Sequence, residues 1–255
     1  MKPGKIIDRT KELFFQSTLP IFATKNNKMD KIGSGLLLRF QNNNYLITCS
    51  HVTRDYRKFY IPNNTDMLIQ LNSEGFTICS ENVNPGSDND NFDISLFKIS
   101  DSEMLNFGNR QFVTDSNFFL ENHNENNNYL LFGYPNSKTF LNPIKKKFKA
   151  NTFEYIVQYN SSRLNMIKYN LDLNYNIPLT YQKRDIFNGF RKGFVPDPWG
   201  LSGCGTWVRV TSKESDSWLL AGILIGGHPR DNFAYSTTLK AILNYISETQ
   251  KNYTS

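Results

Sequence analysis

Cysteine, histidine and long apolar runs are all scarce in this chain of 255 residues. The three cysteines, Cys49, Cys79 and Cys204, are an odd number, lack metal-ligand spacing and are too few to staple a small secreted scaffold. They read as reduced thiols that act as small packing residues, and no metal site is expected from them. No window approaches the roughly 20 consecutive apolar residues of a membrane-spanning helix, so a helical membrane protein is excluded and no membrane partner is expected. The opening stretch MKPGKIIDRTKELFF spreads its charges and has no apolar centre of the kind a secretory leader carries. A cytoplasmic location is the expectation. Neither sign of charge dominates, with 29 basic against 23 acidic residues and a net charge of +6. That excess permits attraction to acidic partners but does not mark a nucleic-acid binder. The one dense basic run, KKKFK at 145–149, reads as a solvated loop or strand edge.

What is present is strand. The composition, 39% hydrophobic and 20% charged with a mean hydropathy of -0.50, belongs to a globular chain long enough for one large all-β unit or two small barrels. Residues 5–15 are helix-compatible, with Ile6, Ile7, Leu13 and Phe14 near one face. Short runs rich in Leu, Ile, Phe, Tyr and Thr then follow, broken by Asn, Gly and Pro. Residues 36–40 and 45–49 flank an asparagine-rich segment, 41–44, that predicts a β-hairpin, because Asn tolerates the left-handed conformation such turns require. Further strands are expected at 67–71, 75–79, 94–99, 129–133, 152–159, 206–210 and 218–225. The polar stretch 121–128 serves as a connection between two halves. Only the C-terminus is expected to return to helix, with Thr237 or Thr238 capping an apolar stripe of Leu239, Ile242, Leu243 and Ile246.

Three segments carry chemistry. His51 ends a hydrophobic strand in TCSHV, where a rigid element can hold its ring, whereas His123 and His228 fall in loop settings. Asp93 immediately precedes the alternating strand ISLFKI, a place from which a carboxylate could orient an imidazole. Asp88 and Asp90 read as loop acids. Ser202 lies in GLSGCG, whose Gly200 lets the chain turn so that the backbone N–H groups of Gly200 and Ser202 could face one developing oxyanion. Histidine, aspartate and serine together turn a weakly nucleophilic alcohol into an acyl-transfer catalyst. Taken singly, each segment also has a purely structural reading: a strand end, a strand-initiating turn and a tight turn.

Taken together, the segments resemble the chymotrypsin/trypsin-like serine peptidases. The resemblance runs from about Ile21 to the C-terminus: GSG at Gly33 to Gly35, YLITCSHV, DISLFKI, GYP at Gly133 to Pro135, GLSGCG, AGILIGG and a closing helix. The chain order His, Asp, Ser belongs to that family among the folds that share the triad. The resemblance implies an all-β fold of two six-stranded antiparallel β-barrels with a short N-terminal helix and a C-terminal helix. It also implies an organisation of 1–20 as helical extension, 21–124 as the barrel with His51 and Asp93, 125–235 as the barrel with Ser202, and 236–255 as helix and tail. His51 would be general base and then general acid, Asp93 its orienter, Ser202 the nucleophile, and the Gly200 and Ser202 N–H groups the oxyanion hole. Ile225, Gly226 and Gly227 would pair with the substrate backbone, and Pro196 would stand at the pocket floor. Asp197, if it faced the pocket, would favour a Lys or Arg side chain; it reads equally as an exposed turn acid.

The sequence departs from the secreted members. Val52 stands where they have a cysteine after the histidine, and Leu201 where zymogen-type members have an aspartate that pairs with a newly cut N-terminus. The resemblance is therefore to intracellular bacterial branches. It implies a peptidase without metal or organic cofactor, acting on a protein or peptide substrate and restrained by a regulatory protein partner in a bacterial stress or defence pathway. The competing reading is a catalytically silent module that keeps the barrels and binds peptides.

Overall fold

Successive residues of a β-strand point to opposite faces, so an apolar run such as Leu36, Leu37 and Leu38 fits only where both faces are covered. The computed structural model describes residues 7–25, 28–56, 58–63, 67–73, 75–80, 84–87, 90–142, 147–182, 184–187, 191–195, 197–211 and 216–254. In it Leu36 and Leu38 enter one buried cluster and Leu37 another. The same division recurs later in the chain, where Leu130, Phe132 and Trp207 face the shared cluster while Tyr129, Leu131 and Val208 face a third.

The first sheet comprises β1 (Thr18–Lys25), β2 (Lys28–Phe40), β3 (Asn43–Cys49), β4 (Phe59–Pro62), β5 (Leu68–Leu71), β6 (Gly75–Ile78) and β7 (Ile94–Ile99), ordered β5-β4-β1-β2-β3-β7-β6. The rest of the chain supplies β8 (Asn128–Gly133), β9 (Thr139–Asn142), β10 (Lys147–Ala150), β11 (Phe153–Gln158), β12 (Asn176–Thr180), β13 (Arg184–Phe187), β14 (Arg191–Phe194), β15 (Gly205–Thr211), β16 (Asp216–His228) and β17 (Phe233–Thr238). Six of these form the second sheet, ordered β11-β8-β15-β16-β17-β12, while β9 with β10 and β13 with β14 make separate two-stranded ribbons. Both large sheets are curled and antiparallel, the double-barrel architecture that the family resemblance implies. The first carries seven strands where six are expected, because the short segment Phe59–Pro62 pairs between β1 and β5.

The helices are α1 (Ile7–Ser17), α2 (Ser50–Thr53), α3 (Asp101–Phe107), α4 (Arg163–Lys168) and α5 (Leu239–Thr254). Both terminal helices form as expected, and the Thr238 hydroxyl caps α5 by accepting the Ala241 N–H at 3.3 Å. Helix α3 corrects the expectation that only the C-terminus returns to helix. Its capping box, Ser100 with Glu103, is a local signal in the sequence that the strand pattern around it obscures. Phe14 from α1 and Ile242 and Ile246 from α5 fill the cluster between the two sheets. Among the described residues, no helix is long and apolar enough to cross a membrane. Of the basic run, Lys147 to Lys149 lie in β10, and Lys145 and Lys146 are outside the described residues.

Candidate active site

Strands β3 and β7 pair antiparallel with Cys49 opposite Ile94, so the residues just after Cys49 and just before Ile94 emerge at the same end of the sheet. This register brings together His51, on the single turn of α2, and Asp93. The His51 Nδ1 lies 2.5 Å from Asp93 Oδ2, the His51 backbone N–H donates to Asp93 Oδ1 at 2.9 Å, and the Ser50 N–H donates to the Asp93 carbonyl at 3.1 Å. With Nδ1–H donating to the carboxylate, Nε2 is left as the acceptor. Burial raises the Asp93 pKa, and hydrogen bonds from His51 oppose that rise.

Asp93 takes a left-handed backbone conformation, φ 45°, which a non-glycine residue holds only when its surroundings require it. Asp90 supplies that requirement. Its buried carboxylate accepts the N–H groups of Asp93 and Phe92, each at 3.1 Å, of Ser80 at 3.0 Å and of Gly86 at 3.0 Å. Gly86 in turn packs on the His51 backbone, where a Cβ would stand 2.6 Å from the His51 nitrogen. Asp90, read from sequence as a loop acid, is thus the anchor that seats both Asp93 and the α2 turn. Asp88 lies outside the described residues.

Ser202 is presented by two tight turns. Residues 198–201 form a type II turn closed by the Leu201 N–H to the Pro198 carbonyl at 2.8 Å, with Gly200 at φ 89° in the position that demands a positive φ. The Trp199 carbonyl accepts the Asn136 N–H at 2.9 Å. In a trans peptide the carbonyl and N–H are antiparallel, so fixing that carbonyl turns the Gly200 N–H the opposite way. The next turn is held by the Cys204 N–H to Leu201, the Gly203 N–H to Leu224 and the Ser34 N–H to the Ser202 carbonyl, each at 2.8 Å. Among the described residues, the N–H groups of Gly200 and Ser202 donate to no protein acceptor. Two unpaired donors, two residues apart in a turn of this kind, form an anion-accepting concavity.

His51, Asp93, Gly200 and Ser202 line one cleft of about 1090 Å³ between the sheets. Among the described residues the Ser202 hydroxyl makes no hydrogen bond. Ile225, Gly226 and Gly227 of β16 and Asp197 line the same cleft. A Cβ on Gly226 would overlap the Tyr235 ring, and one on Gly227 would stand 3.0 Å from the Pro198 ring. Asp197 is exposed, and Pro196 lies outside the described residues.

One wall of the cleft has no counterpart in the sequence reading. His228, expected in a loop, ends β16 and stacks on Tyr169 at 4.0 Å, and Phe233 and Tyr235 extend the aromatic group. Tyr169 and Lys168 both bond Asp231, the lysine at 2.5 Å. Neither Lys168, the last residue of α4, nor Tyr169 after it falls in a motif, so nothing local marks them. His123 stands outside the cleft, bonded to the Tyr129 hydroxyl at 2.9 Å, with burial lowering its pKa to about 4. Cys49, His51 and Asp93 place three ligand-type atoms within 4.8 Å of one another. The Cys49 thiol donates to the Leu224 carbonyl, burial pushes its pKa well above the ordinary value, and the imidazole Nδ1 is engaged by the carboxylate, a donor set poorly suited to a metal ion.

Comparison with known proteins finds this architecture repeatedly. The structure of the scabies mite inactivated protease paralogue S-I1 matches with a TM-score of 0.55 at 12% identity, over 94% of this chain and 96% of that one. GrC matches with a TM-score of 0.55 at 14% identity, over 92% and 94% of the respective chains. The serine endoprotease from Yersinia pestis matches with a TM-score of 0.51 at 12% identity, over 94% of this chain and 65% of that one. The likeness is one of fold, that of the trypsin-like serine proteases. No protein-family model and no curated protein matches the sequence.

Proposed function

We propose that the chain is a trypsin-like serine endopeptidase that works through an acyl-enzyme. The observation that carries this reading is the convergence in one cleft of the His51–Asp93 pair, the Ser202 hydroxyl and the two unpaired N–H groups of Gly200 and Ser202. In this mechanism the Ser202 Oγ attacks the scissile carbonyl carbon while His51 Nε2 takes the hydroxyl proton. The carbonyl π electrons move to the oxygen, which receives hydrogen bonds from the Gly200 and Ser202 N–H groups. Collapse breaks the C–N bond, and His51 returns its proton to the leaving amine. Water, deprotonated by the same imidazole, then releases the acid and restores Ser202. Asp93 holds the ring in the reactive tautomer throughout. Ile225 to Gly227 offer the edge along which a substrate backbone pairs, and the reaction calls on no metal or organic cofactor. A cytoplasmic location and restraint by a regulatory protein belong to the same proposal, since an unrestrained peptidase damages its own host.

A second reading, a silent peptide-binding module, is favoured by one observation: the Ser202 hydroxyl is not bonded to His51. Intact-mass measurement after treatment with a fluorophosphonate separates the two. A single adduct, lost in Ser202→Ala and strongly reduced in His51→Ala, is the expected result. No adduct on the purified protein, and none after cell lysate is added, would leave the binding module; an adduct that forms only with lysate would place the control in a partner.

A further inference from the structure

Lys31 is a basic residue of β2 that no chemical motif includes, and its side chain reaches across to the second half of the molecule. Its Nζ donates to the Gly200 carbonyl at 2.7 Å and to Asn136 Oδ1 at 3.2 Å. Among the described residues Lys31 forms no ion pair. Placing an ammonium in a partly desolvated position without a carboxylate is costly, so the contacts it makes there need a reason beyond stability. Burial lowers its pKa to about 7.

Those contacts converge on one turn. The Gly200 carbonyl accepts from Lys31 and also from the Ser34 hydroxyl at 2.7 Å, which fills both of its lone pairs. The same Ser34 oxygen accepts the Tyr134 N–H at 3.1 Å. Asn136 receives Lys31 on its side chain and, through its backbone N–H, fixes the Trp199 carbonyl. Both peptide units around Gly200 are therefore pinned from outside the turn. A glycine there could accept the flipped peptide as readily, because type I and type II turns differ chiefly by a half-rotation of the central peptide. A flip would put the Trp199 carbonyl where the Gly200 N–H must be, and the anion site would vanish.

We infer that Lys31 is a positioning residue of the anion site: its ammonium, delivered from the first sheet, holds the 198–201 turn in the form that points the Gly200 N–H into the cleft. The inference rests on the proposed peptidase reading for its consequence, but not for its geometry. It supplies from within the chain the positive charge that Leu201 cannot recruit, since Leu201 has no carboxylate with which to bind a terminal amine. The titratable groups around Lys31 are Cys204 beneath the turn, Asp30 beside it on β2, Asp197 at the start of the turn, Lys138 just beyond Asn136, and His51 across the cleft. Cys204 is the one whose charge would bear on it, but burial pushes that thiol up to about 12, so near pH 7 it is neutral and lends the ammonium no support. The charge on Lys31 is thus its own, and it is lost as pH rises through about 7.

The experiment is the pH profile of the fluorophosphonate labelling rate in wild type, Lys31→Met and Lys31→Arg. Wild type is expected to decline on the alkaline side of about 7. Lys31→Met should label at least about tenfold more slowly below about pH 7 and approach the wild-type rate above it, a fraction of the loss seen when an oxyanion donor is removed outright. Lys31→Arg, which keeps its charge, should restore the rate and abolish the alkaline decline. Equal rates and one profile in all three proteins would overturn the inference. A second readout does not depend on reactivity. In a His51→Ala background, which removes the neighbouring imidazole, the Gly200 amide resonance should titrate near pH 7 and lose that titration in Lys31→Met. A Gly200 amide indifferent to both pH and Lys31→Met overturns the inference even if the protein labels normally. A titrating amide on a protein that never labels would sustain the inference while the peptidase reading fails.

Discussion

At the scale of single residues, the acid that organises the His51–Asp93 pair is not the acid that touches the histidine. Asp93 faces His51, but its left-handed backbone is imposed by Asp90, whose carboxylate collects four backbone N–H groups from three stretches of chain. Charge-assisted bonds to a buried carboxylate are worth more than neutral ones, and removing the acceptor orphans every donor at once. Asp90→Ala is expected to cost about 3 kcal/mol of stability and to lower the fluorophosphonate labelling rate well beyond what that loss explains, because Asp93 loses its seat. Urea denaturation and labelling kinetics on the same protein check it; a destabilised variant that labels at the wild-type rate would remove Asp90 from any positioning role. In sequence, Asp88, Asp90 and Asp93 share one turn-rich stretch, PGSDNDNFD, and only the strand following Asp93 distinguishes it. The work of Asp90 depends on Ser80 and Gly86, which no spacing rule connects to it.

At the scale of elements, the expected strands and the terminal helices form close to their predicted ranges, strands such as β1, β12 and β17 form where none is expected, and turns follow the pattern in kind but not in register. The asparagine-rich segment between β2 and β3 predicts a hairpin, and the hairpin closes over two residues, Gln41 at φ 49° and Asn42 at φ 61°. Two consecutive left-handed residues match the right-handed twist of the paired strands, so the shorter turn wins and Asn43 and Asn44 join β3. Asn42→Val places a β-branched side chain in that conformation and is expected to cost about 1–2 kcal/mol, read as a lowered denaturation midpoint with an unchanged slope. A neutral result would mean that the turn relaxes to a different type. Helix α3 carries a local signal in Ser100 and Glu103 although the sequence pattern predicts no helix there, whereas α4 carries none, since it has neither a side-chain cap nor a buried face.

At the scale of the whole molecule, the two sheets are joined through a common apolar cluster, and the terminal helices complete it. Phe14 of α1 stacks against Trp207 at 4.5 Å and Phe132 at 5.5 Å, both residues of the second sheet, in a cluster that also holds Leu36 and Ile47 of the first. Phe14→Ala should cost about 3–5 kcal/mol, as buried phenylalanine truncations do, and should still unfold in one transition that both sheets share. Two separated transitions by tryptophan fluorescence and circular dichroism would show that the sheets are energetically independent. The sequence by itself determined what local pattern can encode: alternation and turn residues for an all-β chain, a capped apolar stripe for α5, and the three short segments that resemble a peptidase. The tertiary structure alone decided what arises between segments remote in sequence. Lys31 and Gly200 are 169 residues apart, and Asn136 is 105 residues from Lys31. A hydrogen bond across such separations leaves no periodicity in the sequence, because its two ends are placed by different sheets and meet only once both have curled around the shared core.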